Sequence, residues 1–528
     1  MVDANDRARA PESIFIKVVP WVWALASWLC GGIALVFCFR GQGHHYWWIL
    51  TAGAVPVLRL LVSTEYRKLV REVFVSCWQS LAEFHANPAS VPWRAVILYG
   101  CLPFAILFLA NTKKQVGDNV PVFLAAGSIV RDGNVELSEY LGLPQWSSLG
   151  NDEKGLNYSL VRTPGGVYSN YPSGPLQIAA PVALVSRCVG ANFDIITVHD
   201  RLQKFSAVLL ASACLGLFFL LALHLVPPTH AWIATLMLGV ASAMFSTLAM
   251  GIWQHGGVVF WSLVFLVAEF RQAPRSSWAW TLAQGLALGW MVPWRPTSVL
   301  VALPLAIWLA CRSPKRVLLV GALAAAAYLP WGCFYYSCYG NVLGPSHTQA
   351  HVDNWMWDSP DGYLGVLFSP GRGMFVFQPW LILALLWTWP AVWPTSESPR
   401  GQPGWGGLLA LSGAIVLLNV VTVGAWRCWW GGWCYGSRLT SDTLALAALL
   451  CVQPVAYLWR FPIGRAIVVG LIALGFLIHA SSVYFGADNW NGAHGDIDAN
   501  WALLWRWDDP PFLYPILKHF HGRDPSTP

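Results

Sequence analysis

The feature that most constrains this chain is a succession of apolar runs long enough to cross a bilayer. A spanning helix takes about 20 mostly apolar residues. Apolar stretches between polar breaks give about thirteen candidates, near 14–38, 46–63, 94–110, 204–226, 231–250, 256–270, 277–293, 297–311, 317–336, 375–393, 406–424, 441–458 and 464–485. Of the 528 residues, 56% are hydrophobic and 11% charged, where a soluble domain carries about 25% charged residues. Mean hydropathy is +0.50. This excludes a cytosolic globular enzyme, a disordered chain and a nucleic-acid binder, which needs dense basic patches. The expectation is an all-α polytopic membrane protein.

The first apolar stretch follows a polar leader and lacks a small-residue cleavage site, so it reads as a span rather than a signal peptide. Lys and Arg set the orientation. One alternating set of connections holds Arg7, Arg9 and Lys17; Arg67, Lys68, Arg71 and Arg94; Arg271 and Arg275; Arg312, Lys315 and Arg316; Arg400; and Arg460 and Arg465. The opposite set carries isolated Arg40, Arg295, Arg372, Arg427 and Arg438. The first set is expected to be cytoplasmic, in a plasma (inner) membrane, with the N-terminus inside and the tail 486–528 outside.

Two outer segments, 111–203 and 340–374, exceed ordinary connectors, and loops of that length are usually functional. Stretches 119–131 and 174–189 are expected as helices lying in the membrane interface, or alternatively as a further pair of short spans. Segment 64–93 reads as a cytoplasmic amphipathic helix. The twelve Cys show no metal-ligand spacing; Cys428 with Cys434, or Cys333 with Cys338, could be oxidised outside, but buried apolar thiols fit the pattern better.

Ionisable groups at the membrane are functional candidates because they are costly there. Asp118 opens one interfacial helix, where a carboxylate could take a proton from an acceptor hydroxyl or cap the helix. Arg295, Arg372 and Arg438 each sit where an outer loop meets a span. Their forks suit phosphate oxygens and a departing phosphate's charge; each could instead snorkel to headgroups. Trp426, Trp429, Trp430, Trp433 and Tyr435 belong either to an aromatic belt or to a surface for a sugar ring or prenyl chain. His255, in an outer turn, is a possible hydrogen-bond donor. Asp353, Asp358 and Asp361, beside Trp355 and Trp357, suit a solvated loop better than a metal or sugar site.

Six segments, GDNVPVFLAAGSIVRDGNVELSEY (117–140), YSNYPSGPLQIAAPVAL (168–184), WQHGG (253–257), WRPTS (294–298), FSPGRGMFVFQP (368–379) and WWGGWCYGSR (429–438), resemble the GT-C membrane glycosyltransferases. The similarity is to bacterial relatives of dolichyl-phosphate-mannose protein mannosyltransferases and lipid A aminoarabinose transferases, in the manner of glycosyltransferase family 39. The resemblance implies a GT-C-like core over 94–485 after a 1–93 addition of two spans, and a polyprenyl-phosphate-linked sugar donor. It implies inverting transfer to a lipid, glycan or protein hydroxyl, with Asp118 as base. Arg295, Arg372, Arg438 and His255 would hold the donor phosphate; Tyr168, Tyr171, Trp429, Trp430, Trp433 and Tyr435 would line the sugar and acceptor. Relatives often carry adjacent acidic residues where this chain has Asp118-Asn119, so no metal ligands are assigned, although a divalent ion remains possible. The competing reading is a transporter or flippase of lipid-linked saccharides, which would place polar groups within the spans.

Overall fold

The computed structural model describes residues 56, 64–88, 90–110, 118–151, 155–193, 195–272, 277–345, 354–393, 405–493 and 496–521. The expected spans at 14–38 and 46–63 lie outside these residues, apart from Pro56, as does Asp353.

Helix dominates. Among the described residues, six helices have the length and apolarity to cross a membrane: Trp93–Ala110, Ile196–Leu223, Pro314–Tyr339, Gly406–Ala425, Arg438–Leu458 and Pro462–Phe485. They coincide with the expected runs at 94–110, 204–226, 317–336, 406–424, 441–458 and 464–485. Their outward faces carry Leu318, Leu319, Leu329, Leu417, Ile463 and Leu477, all exposed. A water-facing helix would put charges there; lipid favours these side chains. The chain is thus a membrane-embedded helical protein.

The other expected runs are shorter or broken. Trp278–Met291 has 14 residues, and Pro296–Arg312 is likewise a short apolar helix. The run at 231–250 divides at residues 241–243 between Pro228–Val240 and the wider turn Met244–Leu248. The run at 375–393 is not one transmembrane helix. Gln378 leaves helical geometry (φ −121°, ψ 72°), and Pro379 has no N–H to continue the ladder. The chain resumes as a tight 3-10 turn sequence, Pro379–Thr388, which at about 2.0 Å per residue is shorter than a hydrocarbon core of about 30 Å.

An acid in the expected span 256–270 also has its explanation. Glu269, 2% exposed, accepts from Arg312 Nε at 2.9 Å, Gln284 Nε2 at 2.8 Å and Arg316 Nη2. A buried carboxylate is tolerated when so paired, and the cluster ties Gln254–Gln272 to three neighbouring helices.

The stretches expected as interfacial helices are helical, Val120–Asp132 and Leu176–Cys188, and the two helices pack on each other. Thirteen residues rise only about 20 Å, too little to cross. Residues 121–128 of the first are covered by protein, so it is not a helix with a broad free apolar face. Thr64–Ala86 is helical as expected. Between the paired helices run two small antiparallel hairpins, Gly150–Asn151 with Gly155–Leu156 and Leu160–Thr163 with Gly166–Ser169.

Close approach at Gly257 sets the N-terminal end of Gln254–Gln272. A Cβ there would fall inside the Trp294 indole, which is 1% exposed and donates from Nε1 to Gln177 Oε1 at 2.8 Å. This packing fixes the residue before Arg295. Gly257→Ala is expected to lower stability by about 1–3 kcal/mol, the range for overpacking, seen as a lower Tm in detergent.

The described part of the tail beyond 486 is folded. Short turns Trp490–Ala493 and Trp501–Trp505 lie against the loops at 369–373 and 429–436. Ser369 Oγ and Gly371 N both donate to Leu504 O, at 2.7 and 3.1 Å.

Candidate functional site

Asp118 stands in the turn that starts Val120–Asp132, and Arg438 begins Arg438–Leu458. Though 320 residues apart, they form an ion pair, Arg438 Nη1 to Asp118 Oδ2 at 3.1 Å. Both retain some access, with side chains 19% and 12% exposed for Asp118 and Arg438. The other carboxylate oxygen, Oδ1, accepts from Tyr158 Oη at 3.0 Å. Tyr158 reaches it from the turn between the two hairpins. Tyr171, after the second hairpin, lies within electrostatic reach of the same carboxylate.

Partial burial of its hydroxyl end and the negative charge of Asp118 push Tyr158 up to about 12, and burial with the same charge pushes Tyr171 up as well. Tyr158 therefore remains a donor at neutral pH. Hydrogen bonds to a charged group contribute about 1.5–3 kcal/mol. Tyr158→Phe frees Oδ1 and is expected to lower stability by about 1.5 kcal/mol, the low end of that range because the Tyr158 side chain is exposed, read as a lower Tm in detergent.

Arg438 stacks over Trp253, its guanidinium carbon 4.6 Å from the ring centroid, a favourable arrangement for a cation on an indole face. Its Nη2 donates to Gly431 O at 2.7 Å, and its buried Nε has no acceptor among the described residues. Arg372, 2% exposed, extends from the loop after Pro360–Phe368. Its Nε donates to Trp430 O at 3.1 Å, Nη1 to Gly371 O at 2.8 Å, and Nη2 to Gly432 O at 3.3 Å and Asn491 Oδ1 at 2.6 Å.

Three consecutive carbonyls, from Trp430, Gly431 and Gly432, are thus divided between two guanidinium groups. The bend that aims them requires φ of +74° at Gly431 and +66° at Gly432, a region that glycine enters without steric cost. Arg372 and Arg438 line one small cavity with Trp429, Trp430, Ser437 and Thr440. Arg372 has no carboxylate partner among the described residues, so the two cations have one carboxylate, Asp118, directly paired to them. That imbalance favours an anion.

Arg295 and His255 do not join this ion pair. Asp442, 2% exposed, accepts from Arg295 Nη1 at 2.6 Å on Oδ2 and binds His255 Nδ1 at 2.9 Å on Oδ1. This cluster is one turn along from Arg438 on the same helical segment.

The expected aromatic residues also separate. Trp429 and Trp430 line the cavity, and Trp430 Nε1 donates to Asp498 Oδ1 at 2.7 Å while its ring stacks on Trp501. Trp433 is exposed and donates to Asp496 Oδ1 at 3.0 Å. Tyr435 is packed in the core, its hydroxyl donating to Ile478 O at 2.5 Å. Tyr168 is buried against Tyr339 and donates to Gly165 O at 3.0 Å. Of the ten cysteines described, all are free thiols, including Cys333, Cys338, Cys428 and Cys434. Among the described residues, no three His, Cys, Asp or Glu side chains converge in a way that could hold a metal.

Sequence reasoning did not single out Tyr158, Asp442, Asn491 or Asp498. Asp442 carried a signal: it is an acid at the head of an apolar run, where a carboxylate demands a partner.

No protein-family model matches the chain, and comparison with curated proteins finds no match.

Proposed function

We propose that the protein is an integral membrane glycosyltransferase of GT-C type, moving a sugar from a polyprenyl-phosphate donor to an acceptor hydroxyl at the outer headgroup level. The observation that carries this reading is the Asp118–Arg438 ion pair beside a second guanidinium, Arg372, that has no carboxylate partner among the described residues. A proton acceptor next to excess positive charge suits a reaction that removes a proton on one side and releases a phosphate on the other.

In that reaction the acceptor O–H proton passes to Asp118. The acceptor oxygen bonds to the anomeric carbon with inversion as the bond from that carbon to the phosphate oxygen breaks. The bonding pair leaves with the phosphate, whose added charge Arg438 and the neighbouring Arg372 stabilise. An arriving phosphate competes with Asp118 for Arg438 Nη1, so donor binding loosens the carboxylate for proton transfer. Trp429 and Trp430 border the path with flat apolar faces. About thirteen spans, a cytoplasmic N-terminus, an outer tail and a plasma-membrane location complete the proposal.

The test is a sugar-transfer assay with the purified protein in proteoliposomes, offering polyprenyl-phosphate hexose and pentose donors with lipid and glycan acceptors. Released polyprenyl phosphate together with a glycosylated acceptor supports the reading. Movement of the intact donor between leaflets without transfer overturns it in favour of a flippase.

A further inference from the structure

The tail brings a second chemistry to the edge of the arginine-lined cavity. Trp430, which lines that cavity, donates from Nε1 to Asp498 Oδ1 at 2.7 Å and stacks on Trp501, with 13° between the ring planes. Three residues on, Trp433 Nε1 donates to Asp496 Oδ1 at 3.0 Å, and the backbone N–H of Asp498 reaches the same oxygen at 3.0 Å. Those two donors hold Asp496 below the usual carboxylate range, so it stays charged at neutral pH. Trp433 is 59% and Trp501 39% exposed, and both aspartates are exposed. Asp498 also lies within electrostatic reach of Tyr158, whose hydroxyl donates to Asp118. A rim of open indole faces and carboxylates thus links the Asp118 carboxylate to Trp433.

The chemistry of this rim restricts what can lie on it. Neither Asp496 nor Asp498 is paired to a cation among the described residues, so an anion is repelled there. Membrane anchoring fits poorly. A belt Trp turns its polar N–H toward the wet headgroups, whereas these two indole N–H groups are taken up by aspartates. An apolar partner would bury the carboxylates without donors. A neutral saccharide meets every condition. The C–H face of a sugar ring lies on an indole, and its hydroxyls donate to carboxylate oxygens. Each aspartate spends Oδ1 on an indole, and its Oδ2 has no hydrogen bond among the described residues.

We propose that this rim, Trp433 and Trp501 with Asp496 and Asp498, binds the acceptor as a neutral saccharide whose reacting hydroxyl turns to Asp118. This rests on the glycosyltransferase reading and narrows its acceptor from lipid, glycan or protein to a glycan without charged sugars. The two substrates are then sorted by charge. Arg372 and Arg438 take the phosphate end of the donor, and the acids and indoles beside them take the acceptor.

The experiment titrates maltotetraose, mannotetraose, cellotetraose and tetragalacturonate into the full chain in nanodiscs, with no donor lipid, and reads binding by calorimetry. At least one neutral tetrasaccharide is expected to bind saturably, with tetragalacturonate at least about tenfold weaker through like-charge repulsion. Trp433→Ala should weaken the neutral ligand about tenfold, as truncating an aromatic anchor does. Asp498→Asn should also cost about tenfold, the worth of a hydrogen bond to a charged group, although its amide oxygen still accepts from Trp430. Trp433→Phe keeps a flat ring at an exposed position and should bind within about threefold of the parent; it holds the test open where Asp498→Asn lowers Tm. The proposal is overturned by a parent that binds none of the four, by tetragalacturonate binding as tightly as the neutral saccharides, or by affinity unchanged in both Trp433→Ala and Asp498→Asn. Sugar transfer to a lipid alcohol or a protein by a chain that binds no saccharide keeps the glycosyltransferase reading and overturns this one. Saccharide binding at the rim without transfer from any polyprenyl-phosphate sugar removes the glycosyltransferase reading and leaves the rim a saccharide site.

Discussion

Asp118→Asn is expected to lower sugar transfer by about 10²–10⁴-fold, the usual contribution of a positioned general base, while the protein stays folded. Asparagine has nearly the shape of aspartate, and its oxygen can still accept from Tyr158, which donates to Oδ1 at 3.0 Å in the parent. It cannot accept the hydroxyl proton. It also withdraws the negative charge now 3.1 Å from Arg438 Nη1, so a phosphate no longer competes for that cation. Affinity for polyprenyl phosphate should therefore hold or rise as kcat falls. That split separates a base from a residue that merely shapes the pocket, whose loss would weaken binding and turnover together. Turnover near that of the parent would remove Asp118 from the chemistry.

The helical membrane-embedded character was legible because long apolar runs with few charges leave little else for a chain to form. Boundaries failed where a single residue broke the pattern. The apolar run at 375–393 scores as a span by composition, yet Gln378-Pro379 divides it, a local backbone effect that composition averages away. Residue type was enough to mark Asp118, Arg372 and Arg438 as candidates. What each of them touches was not legible. The Asp118–Arg438 pair joins positions 320 apart, and Tyr158 arrives on the turn between two hairpins whose short strands carry almost no periodic signal. Arginines 295 and 372 look alike in sequence, each next to Pro or Gly just before an apolar run. One is tied to a buried carboxylate, the other to backbone carbonyls and an amide. That division depends on Asp442 and on the bend at 430–432, both fixed by tertiary packing. The tail posed the same difficulty: nothing in its composition announces that Asn491 and Leu504 dock on loops more than 100 residues earlier in the case of Arg372 and Ser369.

Arg372→Met is expected to cost on the order of 3 kcal/mol, because it leaves several buried neutral acceptors without their donor, and to release the tail. The methionine keeps much of the side chain's volume but none of its donors. Trp430 O, Gly432 O, Gly371 O and Asn491 Oδ1 each lose a donated hydrogen bond, and a buried acceptor left unsatisfied costs about 1–3 kcal/mol. Asn491 keeps its other bond, from Nδ2 to Cys434 O at 2.9 Å, and Ser369 still holds Leu504, so the tail should loosen before the helices do. Limited proteolysis ought to cut within 486–521 at a temperature where the parent is protected, followed by a lower Tm in detergent. Arg372→Lys preserves the charge but replaces a planar fork with one ammonium, which cannot serve both Trp430 O and Asn491 Oδ1 in their present directions. It should lie between the two in Tm. Its phosphate affinity tells which duty dominates: retention of binding with a loosened tail makes Arg372 a clamp on the 430–432 loop, whereas loss of binding with the tail still protected makes the guanidinium itself the phosphate's partner. An unchanged Tm and a protected tail in Arg372→Met would show that these four bonds hold nothing together.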